Sequence, residues 1–105
     1  MNSVVVVGEV DGNEVKDVSQ QVATVAAGMG EVIGVIMGKG ISEAAMKLAT
    51  SKIVIADDEE LENYDPAKYA SVVAQVVENN QASKVLMGST TMGKDLGPRL
   101  AAELN

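Results

Sequence analysis

Val32-Ile33-Gly34-Val35-Ile36-Met37 runs into Gly38-Lys39-Gly40 and then into Ile41, Ala44, Ala45 and Leu48. The first part is apolar without alternation, which is how a strand reads when both faces of a parallel sheet are covered. A glycine-flanked turn follows, and the last four residues recur at the spacing of one helix face. One strand-turn-helix unit predicts more, and the chain supplies them. Residues 4–7, 53–56 and 85–87 are further short apolar runs. Helical stripes lie between and after them: Val18, Val22, Val25, Ala26 and Met29; Tyr69, Val72, Val73, Val76 and Val77; Leu96, Leu100, Ala101 and Leu104. The order βαβαβαβα predicts an α/β fold, an open parallel sheet with right-handed crossovers and strand order 3-2-1-4, in a single domain over 1–105.

Punctuation supports these boundaries. Asp65-Pro66 places an N-cap before a proline at the first helical position, Gly28 and Gly30 fall where the first helix should end, and Pro98 is expected in the first turn of the last helix. The interior is nearly free of aromatic side chains. With no Phe or Trp and only Tyr64 and Tyr69, the 105 residues must build a core from Val, Ile, Leu, Met and Ala. Met37, Met46, Met87 and Met92 are read as core filling, and Tyr69 as a core residue with its hydroxyl at the rim.

The same composition removes much chemistry. Without Cys there is no disulfide or thiolate, and without His no imidazole acid or base. No enzymatic activity is expected. No run approaches the ~20 apolar residues of a membrane span, and the start lacks a basic signal region, so a soluble cytoplasmic or organelle-matrix protein is expected. The net charge of −7 is concentrated in Asp57, Asp58, Glu59, Glu60, Glu62 and Asp65. Nucleic acid and membrane are therefore not expected partners. The acidic run reads as a solvated connection or, alternatively, as a docking surface for a basic partner. Nothing fixes the six or more oxygens with which Asp57 and Asp58 would hold calcium, so no metal site is assigned.

Ligands of open α/β sheets collect beyond the carboxyl ends of the strands, which directs attention to the loops there. Gly8 follows the first strand. Gly88, Ser89, Thr90, Thr91, Gly93 and Lys94 follow the last, and they combine glycines, hydroxyls, a positive charge and an oncoming helix N-terminus. Those are parts of an anion cradle, although a capped turn uses the same residues. Gly38-Lys39-Gly40 presents the same choice between anion site and bare turn.

Gly88-Ser89-Thr90-Thr91-Met92-Gly93-Lys94-Asp95-Leu96-Gly97-Pro98-Arg99-Leu100-Ala101-Ala102 resembles the G-[AS]-T-x-x-G-[KR]-x-L-x-P-R-[LV]-A segment of electron-transfer flavoprotein alpha subunits. Val54-Ile55-Ala56-Asp57-Asp58, Tyr64-Asp65-Pro66 and the opening Ser3-Val4-Val5-Val6-Val7 resemble further parts of their N-terminal domain. The resemblance implies a Rossmann-like fold akin to the adenine-nucleotide alpha hydrolases, and a module of a heterodimer that carries electrons from flavin dehydrogenases to an acceptor. It implies an electron-transfer flavoprotein beta subunit and an FAD domain as partners. In that family FAD is held chiefly by a C-terminal domain to which nothing here corresponds. No cofactor is expected in this chain alone, with an adenine nucleotide, AMP or ATP, on residues 88–94 and the Gly8 loop as the alternative ligand. The ATP signature of the universal stress proteins is missing, since Thr91 and Ala101 stand where it needs glycines and Ala102 where it needs a hydroxyl. A folded fragment or engineered chain without activity is the third reading. A strand at 85–87 left with an open edge predicts a homo-oligomer.

Overall fold

The computed structural model describes residues 3–104. Strand β1 (Ser3–Val7) is flanked by β4 (Glu31–Gly38) and β6 (Lys84–Met87), and β4 pairs on its other side with β5 (Lys52–Asp57). All three pairings are parallel, with Val4 opposite Val32 and Lys84, and Val35 opposite Val54. The sheet order β5-β4-β1-β6 is the expected 3-2-1-4.

Helices cover both faces. Val5, Val7, Ile33 and Val35 pack with Tyr69 and Val73 of α3 (Pro66–Asn80) and Leu96 and Leu100 of α4 (Thr91–Leu104). Val4, Val6, Val32 and Ile36 pack instead with Ala23 and Ala26 of α1 (Asp17–Ala27) and Ala45 of α2 (Ser42–Ala45). Every apolar residue of β1 from Val4 to Val7 is 0% exposed. This explains the unbroken valine run, because each successive side chain points to a face that is covered. Asp65 caps α3, its Oδ1 accepting from the Lys68 N–H at 3.1 Å, with Pro66 at the first helical position as the sequence predicts.

Four expectations change. The loop after β1 holds a hairpin, β2 (Val10–Asp11) with β3 (Glu14–Val15), closed by Gly12-Asn13. Gly-Asn as a two-residue loop is a hairpin signal in its own right. Pro98 lies inside α4, because the helix is capped by Thr90 and begins at Thr91. Helix α1 lays the small residues Ser19, Ala23 and Ala26 on the sheet, and it leaves Val25 59% exposed and Met29 40% exposed. Met46 is 71% exposed beyond the short α2 and fills no core.

Candidate functional site

The strand C-termini open into two adjoining cavities of about 620 and 880 Å³ that share Glu9, Lys16, Tyr64 and Met92 in their walls. Gly8 lines the first, and its N–H completes the sheet by donating to the Val35 carbonyl at 2.9 Å. Ser89, Thr90, Thr91 and Lys94 line the second. The sequence-predicted residues are thus brought to one rim, with Gly88 and Gly93 buried behind them.

Between the loops sits Glu9, which the sequence reading did not single out. Its residue is 8% exposed, so its charge must be paired to be tolerated there. Oε2 accepts from the Thr90 hydroxyl at 2.6 Å and Oε1 accepts from Lys16 Nζ at 3.1 Å. The Glu9 N–H donates to Ser19 Oγ at 2.8 Å. One carboxylate therefore ties the β1 loop, the start of α1 and the β6 turn together. A glutamate just after a strand is too common to be noticed in a sequence, and its Thr90 partner lies 81 residues away.

Thr90 is fully engaged as a result. Its hydroxyl proton goes to Glu9, while its oxygen accepts the Gly93 N–H at 3.0 Å as the helix cap. Gly93 is required by contact, since a Cβ there would overlap the Gly88 carbonyl oxygen. Asp95, one turn into α4, accepts the Tyr64 hydroxyl at 2.8 Å and pairs with Arg99 at 3.3 Å. Removal from water, followed by that hydrogen bond and the Asp95 charge, pushes the Tyr64 hydroxyl up to about 12. Tyr69 donates to the Leu61 carbonyl at 2.6 Å, and burial raises its pKa too. Its hydroxyl is thus spent inside the fold.

The turn after β4 is closed in a similar way. Asp57, at the end of β5, accepts the Gly40 N–H at 2.8 Å, the Ile41 N–H at 3.2 Å and the Ser42 hydroxyl at 2.7 Å. The Ser42 hydroxyl and then the Gly40 N–H hold its pKa below the usual carboxylate value. An anion does occupy Gly38-Lys39-Gly40, and it is the chain's own. The rest of the acidic run is likewise organised into a short 3-10 turn, Glu59–Leu61, with Glu59 near Lys39 and Glu60 near Lys68.

A flavin pyrophosphate or free phosphate needs unspent N–H and hydroxyl donors. At the two turns the Gly40 and Ile41 N–H groups, the Ser42 and Thr90 hydroxyls and the Gly93 N–H already serve a carboxylate or a helix cap, and so are not free for a pyrophosphate. On the larger cavity Ser89, Thr91 and Lys94 are exposed and make no ion pair among the described residues, whereas the exposed Lys16 is paired with Glu9. Among the described residues no cluster of acidic side chains could hold a metal ion, and no helix is long and apolar enough to cross a membrane.

A parallel sheet of order 3-2-1-4, helices on both faces and a cleft at the strand C-termini define a doubly wound α/β domain of the Rossmann-like class. The chain belongs to the electron transfer flavoprotein domain family, whose model matches residues 4–105. It is 36% identical to an electron transfer flavoprotein subunit alpha of Bacillus subtilis, over 96% of this chain and 33% of the relative. It is 35% identical to an acryloyl-CoA reductase electron transfer subunit beta of Anaerotignum propionicum, over 71% of this chain and 21% of the relative. A probable mitochondrial electron transfer flavoprotein subunit alpha of Schizosaccharomyces pombe is 33% identical over 70% of this chain and 23% of its own length. The chain spans about a third of the length of the curated alpha subunits it matches.

Proposed function

We propose that this chain is the N-terminal module of an electron-transfer flavoprotein alpha subunit, with a structural and docking role and no chemistry of its own. The observation that carries the reading is the family match along the sheet and both turns, combined with turns in which the Thr90 and Ser42 hydroxyls and the Gly40 N–H already serve the chain's own carboxylates. Such a module shapes the surroundings of a flavin held by another part of the assembly. Its partners are a beta subunit and the FAD-holding part of an alpha subunit. Mixing the three at micromolar concentration should give a stoichiometric complex in sedimentation, and separate boundaries for the module and its partners would contradict the role.

The exposed Lys94, which makes no ion pair among the described residues, favours a second reading in which AMP binds through Ser89, Thr91 and Lys94. Calorimetry with AMP distinguishes it. Heat that disappears in Lys94→Ala would support a nucleotide site, and no heat at millimolar AMP would dismiss it.

A further inference from the structure

The hairpin of β2 and β3 is inserted between β1 and α1, and its residues Val10, Gly12 and Asn13 form one wall of the cavity of about 620 Å³. Two strands of two residues each do not hold together alone in water, so the hairpin keeps its shape only while it rests on the body of the domain. Its apolar footing is the buried Val15 and the half-buried Val10. Its polar footing is a single side chain. Among the described residues, the hydrogen bonds that residues 10–15 make outside the hairpin both come from Lys47, whose Nζ donates to the Asn13 carbonyl at 2.7 Å and to Glu14 Oε2 at 2.9 Å. Lys47 lies between α2 and β5, on a stretch that belongs to neither. Gln20 of α1 supports that stretch: its Nε2 donates to the Lys47 carbonyl at 2.8 Å and its Oε1 accepts the Ala49 N–H at 3.0 Å. One side-chain amide thus pairs with an acceptor and a donor of the same stretch, as a neighbouring peptide group would, and fixes the residue that carries the ammonium group.

We infer that the hairpin is a flap on the first cavity, that Lys47 is its latch, and that Gln20 sets the latch from α1. The three act in series. Gln20 orders residues 47–49, Lys47 holds the hairpin tip, and the hairpin closes one side of the cavity. Glu9, tied to Thr90 and Ser19, stays in place when the flap lifts, and the bond from the Lys16 N–H to its carbonyl at 2.9 Å marks the hinge. An exposed ion pair is weak and is screened by salt, so the latch releases easily. Gln20, Lys47 and Glu14 line neither of the two adjoining cavities. Whatever neutralises Lys47 or Glu14 therefore moves the cavity wall without touching a residue that lines it.

Hydrogen exchange, read by mass spectrometry over residues 10–16, tests the inference, with β1 and α4 as the check that the fold is otherwise intact. Lys47→Met should speed exchange over 10–16 about fivefold. Gln20→Ala should speed it about twofold and should also speed exchange over 46–50. The double variant should exchange at 10–16 no faster than Lys47→Met, because both changes act through one contact. Salt at about 1 M should move the unaltered chain toward the Lys47→Met rate and leave that variant nearly unchanged. Exchange over 10–16 that ignores Lys47→Met would overturn the inference. So would additive effects of the two substitutions, which would make Gln20 an independent support, or acceleration spread equally over β1 and α4, which would make Lys47 a general stabiliser.

Discussion

The turn after β4 and the turn after β6 use the same device, a carboxylate from elsewhere in the chain that consumes donors at the start of a helix. They differ in depth. Asp57 is exposed and supports the four residues of α2, whereas Glu9 is buried and joins three segments beneath α4. Glycine-rich strand-to-helix turns of a nucleotide-binding fold therefore need not bind a nucleotide. What matters is whether their donors are already committed, and that is decided by residues remote in sequence.

The largest expected difference between the turns concerns their glycines. Gly93→Val forces a side chain into the Gly88 carbonyl and should cost roughly 3 kcal/mol or more in urea denaturation, at or beyond the top of the overpacking range. Gly40→Ala meets nothing within 4 Å and strains only a positive φ of 67°, which should cost about 1–2 kcal/mol. Equal losses at the two positions would remove the distinction between contact and conformation.

Next in size is Glu9→Ala, which leaves the Thr90 hydroxyl and Lys16 without their partner; it should lower stability by about 1–3 kcal/mol in the same assay. Glu9→Gln keeps an acceptor and should recover part of the loss. If Glu9→Ala were neutral, the carboxylate would not be what joins the three segments.

Smaller still are the opposite pH responses. Asp57 has a lowered pKa, so its contribution is present above the ordinary carboxylate value of 3.8 and disappears as pH falls through the lower folded value. Tyr64 has a raised pKa, so the hydroxyl it donates to Asp95 contributes fully below 10.0 and is lost as pH climbs toward about 12. Melting temperatures should show Asp57→Asn flattening the acid limb and Tyr64→Phe flattening the alkaline one. Exchanged or absent effects would break the assignment.

The smallest effect belongs to Lys94→Ala, which should change stability by less than about 0.5 kcal/mol because the side chain is exposed and unpaired among the described residues. A larger loss would mean that the β6 turn depends on a charge its geometry does not use.

Much of this architecture was legible because it is local. Continuous valines disclosed a doubly covered strand, and Asp65-Pro66 marked the start of α3. The start of α4 was misplaced because Pro98 is a strong signal for a first turn, while the Thr90 cap that sets the true start is a weaker one. Of the α1 stripe Ala26 is buried and Val22 packs against the core, but Val25 and Met29 stay exposed; the stripe takes in Val25 because valines outrank alanines in any hydrophobic reading. Close approach to the sheet favours Ser19, Ala23 and Ala26 instead, and the valines are left beside β6. At the site, the loop residues were found but their employment was not. Glu9 with Thr90 and Asp57 with Gly40 are pairings across the fold, and no spacing along the chain announces them.

Under the proposed function, this module leaves flavin to another part of its assembly. Sedimentation velocity read at the flavin's visible absorption band tests it directly, with the chain incubated first with FAD alone and then with an FAD-loaded beta subunit and alpha-subunit flavin domain. The account predicts no flavin sedimenting with the chain alone and a faster flavin boundary once the loaded partners are present. Flavin that sediments with the chain by itself, or a partner boundary unchanged by its addition, would contradict it.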